Sequence, residues 1–185
     1  MSDTESAVPL LVVVTGPPAS GKSTVAEHLA AALGLPLLTK DGIKETLFDS
    51  LGTGDRDWSR RLGEATWHVL FHVVGVALEG GASLVVEGNF EPAHAEARFA
   101  SLPDFRGVQV YCSAPDEVLL ARYRERAESG DRHPGHVDDD VARDLGDSLE
   151  ENRWRPLALD GPLVEAGLDD DPAEIAAQVH AQLTR

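Results

Sequence analysis

The stretch GPPASGKST, Gly16 to Thr24, constrains this chain more than any other feature. It follows the apolar run LLVVV and opens the alanine-rich run KSTVAEHLAAAL, so a strand leads into it and a helix leaves it. Gly16, Gly21, Lys22 and Ser23 fit G-x-x-x-x-G-K-[ST] without a mismatch. In such a loop successive backbone N–H groups surround phosphate oxygens, and the positive end of the helix dipole reinforces them. Gly16, Ala19, Ser20, Gly21 and Thr24 are therefore assigned to nucleotide phosphate. Lys22 is assigned to the outer phosphates and the Ser23 hydroxyl to Mg²⁺.

The rest of the chain repeats this alternation. Leu10–Thr15 reads as a central strand buried on both faces. A helix over Lys22–Leu33 ends at Gly34, Leu37–Thr39 is a second strand, and Asp41 is expected to cap a helix running to about Ser50. The pattern then predicts a long helix over Trp58–Glu79, with Leu62, Ala65, Val69, Val73 and Val76 on its apolar face. Strands follow at Ser83–Val86, Val108–Cys112 and Pro162–Glu165. Further helices are expected over Pro92–Ala100, Pro115–Ser129, Asp138–Asn152 and Pro172–Leu183. GDRHPGHV, residues 130–137, reads as a polar loop. Strands alternating with helices specify an α/β chain with a parallel sheet, a three-layer sandwich forming one domain over residues 1–185.

Composition narrows the function. The net charge of −16 argues against a general nucleic-acid binder, which needs a broad basic surface. Only three of the sixteen basic residues are lysines, and Lys22, Lys40 and Lys44 all lie close to the glycine-rich loop. A single cysteine, Cys112, rules out an internal disulfide and a multi-cysteine metal site. The acidic MSDTESAVP start is unlike a secretory leader, and no apolar run reaches the roughly 20 residues needed to span a bilayer. A cytoplasmic protein is expected, without membrane partners.

Phosphate binding alone does not separate a switch, a motor and a kinase. A guanine-specific N-K-x-D is absent from the sequence, and DFRG at Asp104–Gly107 precedes a strand instead of following one. No apolar strand ends in Asp-Glu, as a mechanical ATPase requires. A small phosphotransferase remains, and it needs a carboxylate near the acceptor hydroxyl and cations near the phosphoryl group. Ligands of open α/β sheets gather at the carboxyl ends of strands. Asp41, after the second strand, is expected to orient or deprotonate the acceptor hydroxyl. Glu87, after the third strand in VVEGNF, is expected to bind acceptor or to hold Mg²⁺ through water, with Lys40, Lys44 and Asn89 also on the acceptor side. Arg122 and Arg126 share one helix face, and Arg132 follows in the RHPGH loop. Together they suggest a lid over about residues 122–140 whose arginines, Arg126 and Arg132 above all, neutralise the transferring group.

The segments GPPASGKSTVAEHLAAALGLPLLTKDGIKETL, VVEGNF and RYRER…RHPGH resemble the small P-loop kinases labelled AAA-type. That group is similar to chloramphenicol phosphotransferase, zeta toxins, gluconate and adenylylsulfate kinases, and the kinase domain of polynucleotide kinase. The resemblance covers roughly residues 8–183 and implies a five-stranded parallel sheet in the order 2-3-1-4-5. It implies ATP and Mg²⁺ as cofactors, Asp41 as catalytic base, and Arg122, Arg126 and Arg132 on the triphosphate. It also implies that a loop within Arg153–Pro162 packs on adenine. Lys40 and Lys44 depart from the pattern. In polynucleotide kinases an arginine on the corresponding helix grips a nucleic-acid phosphate, so Lys44 gains the place of an anion-binding residue.

The expected activity is transfer of the γ-phosphoryl group of ATP to a hydroxyl of a metabolite, nucleoside, sugar or antibiotic, by a monomer or homodimer. A polynucleotide 5′-hydroxyl kinase is the enzymatic alternative, and a non-catalytic ATP sensor is the alternative of another class. The remaining polar features read as structural. His68 and His72 lack the H-E-x-x-H frame of a zinc site, and His133 and His136, flanking Pro-Gly in the lid loop, either touch phosphate or stay solvated. Asp138–Asp140 and Asp169–Asp171 read as helix-start and solvated charges.

Overall fold

The computed structural model of the chain describes residues 8–129, 133–136 and 141–183. In chain order the elements are β1 (Leu10–Thr15), α1 (Lys22–Leu33), β2 (Leu37–Thr39), α2 (Lys40–Leu51), α3 (Arg56–Glu79) and β3 (Leu84–Glu87). There follow α4 (Pro92–Phe99), β4 (Arg106–Cys112), α5 (Asp116–Ser129), α6 (Val141–Glu150), β5 (Leu163–Ala166) and α7 (Pro172–Leu183). The strands form one sheet in the order β2-β3-β1-β4-β5 with every neighbouring pair parallel, as the resemblance implied.

β1 lies at the centre because its middle is wholly apolar: Leu11, Val12, Val13 and Val14 are fully buried. Alternate residues feed two cores. Val12 and Val14 join Val25, Ala26, Leu29, Ile175 and Val179 beneath α1 and α7. Leu11 and Val13 face Leu70, Val74, Phe90 and Phe99 from α3, α4 and the turn between β3 and α4. The register aligns the strand ends, because Glu87 pairs with both Thr39 of β2 and Val14 of β1. Three loops therefore leave the sheet side by side at its carboxyl edge.

Two details differ from the sequence expectation. The buried face of α3 is Leu62, Thr66, Leu70, Val74 and Leu78, whereas Val69, Val73 and Val76 are exposed by 40%, 40% and 55%. The helix carries apolar residues nearly all round, so spacing alone allows two stripes. The buried stripe includes Thr66, whose hydroxyl satisfies itself by donating to Leu62 O at 2.7 Å. The second difference concerns α2. Its cap is Thr39, whose Oγ1 accepts from Gly42 N at 3.1 Å, while Asp41 sits inside the first turn. Capping therefore does not account for the aspartate.

Candidate functional site

The glycine-rich loop is cast tightly against the sheet. Gly16 has φ +145°, and a Cβ there would lie 2.1 Å from the Cys112 carbonyl oxygen, so only glycine lets the chain pass the end of β4. Gly21 precedes α1 at φ +82° and offers no side-chain cap. The first-turn N–H groups of α1 are thus left to a ligand or to water, the arrangement that suits an anion. Ser20 is buried, and its Oγ has no hydrogen-bond partner among the described residues.

Lys22 begins α1 and turns back over the loop. Its Nζ donates to Pro17 O at 3.3 Å and stands 3.9 Å from Glu87 Oε1. Glu87, at the end of β3, is only 4% exposed. Burial pushes the Lys22 ammonium below its ordinary pKa, against the opposing pull of Glu87 and Asp41. Burial likewise raises the Glu87 carboxyl above its ordinary range, with Lys22 acting against it. Both groups also feel Asp41 and Arg126. Loops from β1, β2 and β3 and the helix after β4 therefore bring Lys22, Asp41, Glu87 and Arg126 into one electrostatic neighbourhood.

Two hollows flank this group. One, of about 440 Å³, is lined by Ala19, Gly21, Lys22, Ser23, Arg122 and Arg126, among others. The other, of about 320 Å³, lies between α3 and α4, with Lys40, Glu64, Trp67, Phe71, Asn89 and Phe90 on its walls. Lys40 joins the second hollow to the acidic pair, because its Nζ donates to Asp41 Oδ1 at 3.0 Å and lies 5.9 Å from the Trp67 ring centre. Gly88 allows this meeting: a Cβ there would stand 3.0 Å from Trp67 and 3.2 Å from the Lys40 Cβ.

Other expected residues make contacts of their own. Lys44 is buried, with its Nζ donating to Ser59 Oγ at 3.0 Å and lying 5.3 Å from the Phe48 ring centre. It thus points between α2 and α3 and does not line the second hollow. Arg122 donates from Nε to Ala19 O at 3.2 Å, a contact with the loop backbone. His133 and His136 pair with α2: His133 Nε2 lies 3.2 Å from Asp49 Oδ1 and His136 Nε2 lies 3.1 Å from Glu45 Oε1. The His133 ring stacks on Phe48, and Gly135 packs so close that a Cβ would come within 2.4 Å of that ring. Among the described residues no group of three or more His, Cys, Asp or Glu side chains forms a metal cage. Arg132 and Asp138–Asp140 lie outside the described residues.

The segment after α6 packs on both the core and the glycine-rich loop. Trp154 packs with Ala19, Tyr123 and Leu145, and the backbone of Leu157 is fastened to the buried Gln109 amide by bonds of 2.7 and 3.0 Å. The chain that follows β5 also borders the glycine-rich loop, where Leu168 would be 3.3 Å from a Cβ on Gly21. A sequence signal for this existed. β5 is parallel to β1, so its carboxyl-end loop emerges beside the phosphate loop.

The family model described as AAA domain matches residues 11–151. The chain belongs to the AAA domain family. A candidate kinase from Chloroflexus aurantiacus j-10-fl is 38% identical to this AAA-domain chain, with TM-score 0.86 over 95% of the chain and 98% of its own. A gluconokinase from Sinorhizobium meliloti 1021 shares 20% identity at TM-score 0.56, covering 96% and 93%. A shikimate kinase from Acinetobacter baumannii shares 18% at TM-score 0.59, covering 97% and 94%. At these last two identities the likeness concerns the fold, which is that of small P-loop kinases. Comparison with proteins of curated function gives no match. No helix among the described residues is long and apolar enough to cross a membrane.

Proposed function

We propose that this AAA-domain chain is an ATP-dependent kinase that transfers the γ-phosphoryl group to a hydroxyl of a small molecule. The observation that carries the reading is the buried Lys22–Glu87 pair at 3.9 Å, which feels the charges of Asp41 and Arg126, with one hollow walled by the phosphate loop and another by Lys40, Trp67 and Asn89. Triphosphate is assigned to the first hollow and the acceptor to the second. Lys22 and Arg126 neutralise charge that develops on the transferring group. Asp41 holds the acceptor hydroxyl and takes its proton, while Lys40 keeps the aspartate oriented.

The donors near the loop are hard oxygens, the Ser23 hydroxyl and the Glu87 carboxylate, and these suit Mg²⁺, which binds mainly through phosphates and water and needs no protein cage. When bound there, the ion would supply positive charge to the phosphate oxygens. The deep burial of Glu87 beside Lys22 fits a carboxylate that acts through water.

The test is a screen of hydroxylated metabolites, nucleosides, sugars and antibiotics for stimulated ADP formation, run with the parent and with Asp41→Asn. The expected outcome is an acceptor-stimulated rate that falls about 10²–10⁴-fold in the variant, with ATP affinity changed less than about threefold. An unchanged rate in Asp41→Asn would remove the base assignment. A parent that binds ATP but responds to no acceptor would favour a nucleotide sensor.

A further inference from the structure

Ala19 is the one non-glycine residue of the phosphate loop with positive φ, at +65°. L-residues avoid this region because Cβ crowds the backbone, so something outside the residue must hold it there. Two contacts do so. The Ala19 carbonyl accepts from Arg122 Nε at 3.2 Å, across 103 residues of sequence. Its methyl packs with Tyr123, Leu145 and Trp154. Arg122 and Tyr123 are neighbours on α5, so a single turn of that helix grips both the carbonyl and the methyl of the strained residue. Immediately after it, Ser20 N donates to Pro17 O at 3.4 Å and Gly21 opens α1.

We propose that Arg122 is a positioning residue for the phosphate loop. By holding the Ala19 carbonyl it fixes the turn, closed by Ser20 N on Pro17 O, that aims the N–H groups of Gly21 and Lys22 at phosphate, and it does so before nucleotide arrives. The proposal rests on the nucleotide-binding part of the kinase reading and replaces the direct triphosphate contact that the resemblance implied for this arginine. It also makes α5 serve twice, setting the loop through Arg122 and presenting Arg126 to the same hollow.

Two measurements test it. In ATP titrations, Arg122→Ala is expected to weaken binding roughly threefold to tenfold, the size of one hydrogen bond. Glycine adopts positive φ unaided, so in an Ala19→Gly background the same substitution should cost less than about twofold. A loss that keeps its full size in that background would overturn the proposal in favour of direct contact with nucleotide. In nucleotide-free protein, amide exchange at Ser20, whose N–H is bonded to Pro17 O, should quicken several-fold in Arg122→Ala and in Arg122→Lys, which keeps the charge but not the Nε donor. Unchanged exchange in Arg122→Lys overturns the proposal even if the alanine variant folds poorly. Absence of any ATP binding by the parent would refute the kinase reading, and the exchange measurement would still decide the role of Arg122.

Discussion

Replacing Gly16 by alanine measures how closely the phosphate loop is fitted to the sheet. The new Cβ would lie 2.1 Å from the Cys112 carbonyl oxygen and 3.1 Å from both the Cys112 carbonyl carbon and Ser20 Oγ. Real Cβ atoms essentially never approach within 3.0 Å, so the loop or the end of β4 must move by about 0.9 Å, the difference between 3.0 and 2.1. The nearest obstacle is backbone, and no rotamer change relieves it. Overpacking of this kind costs about 1–3 kcal/mol. Holding a side chain at φ +145° costs about 1–3 kcal/mol more. The combined loss of about 2–6 kcal/mol lowers the melting temperature by roughly 4–24 °C, at about 2–4 °C per kcal/mol for a chain of this size. Thermal melts with and without ATP are the assay. The variant should melt in that lower range, and its ATP-induced shift should shrink, because a displaced loop no longer directs its amides at phosphate. A variant with the parent's melting temperature and an undiminished ATP shift would refute the reasoning.

Three further outcomes are expected. Burial holds the Glu87 pKa above its unfolded value, so its contribution to stability is fully present below the unfolded pKa and is lost as pH rises through the folded one. Lys22→Met removes the main opposing charge and raises that pKa further. The melting gap between variant and parent should therefore widen from pH 5 to pH 8, and a gap that narrows contradicts the coupling. Cys112 is 1% exposed and its thiol is pushed up to about 12 by burial, so native protein should resist thiol reagents at pH 8 until it is denatured; fast labelling would show the loop–β4 junction opening readily. Along α3, Leu70→Ala should cost about 2–5 kcal/mol and Val73→Ala within about 0.5 kcal/mol in denaturant melts. Equal costs would mean that the helix is turned otherwise.

What the sequence reveals here follows the range of the forces involved. The phosphate loop is legible because its requirements are local: Gly16 must pass under a carbonyl, Gly21 must adopt positive φ, and Lys22 must follow at once. The sheet is legible because β1 is apolar from Leu10 to Val14 and its alternation with helices leaves few topologies. α3 is less so. Its two apolar stripes differ only in what they pack against, and that is decided by β1, β3 and α4. The orientation of Lys44 depends on Ser59, fifteen residues away on another helix. Arg122 shows the limit most plainly: its spacing from Arg126 places both on one helix face, and both line the first hollow, but the bond from Arg122 to the Ala19 carbonyl joins residues 103 apart in sequence. The cap of α2 is a different case. Thr39 and Asp41 are both good capping residues, and the choice was made by where β2 stops.

The row formed by Thr39, Glu87 and Val14 sets a scale that no side chain can alter. Adjacent strands lie about 4.8 Å apart, so β2 and β1, separated by β3 alone, deliver their loops about 10 Å apart. The offset between the chain bearing Asp41 and the chain bearing Lys22 is therefore a multiple of the ladder spacing and changes only if a strand is inserted or lost. Glu87 sits at the midpoint of that gauge. Substitutions on α3 and α4 can widen or narrow the hollow around Trp67 while leaving the spacing between the two loops untouched. On the proposed kinase reading, a fold built this way can exchange one acceptor for another without resetting the spacing between the loops that bear Asp41 and Lys22.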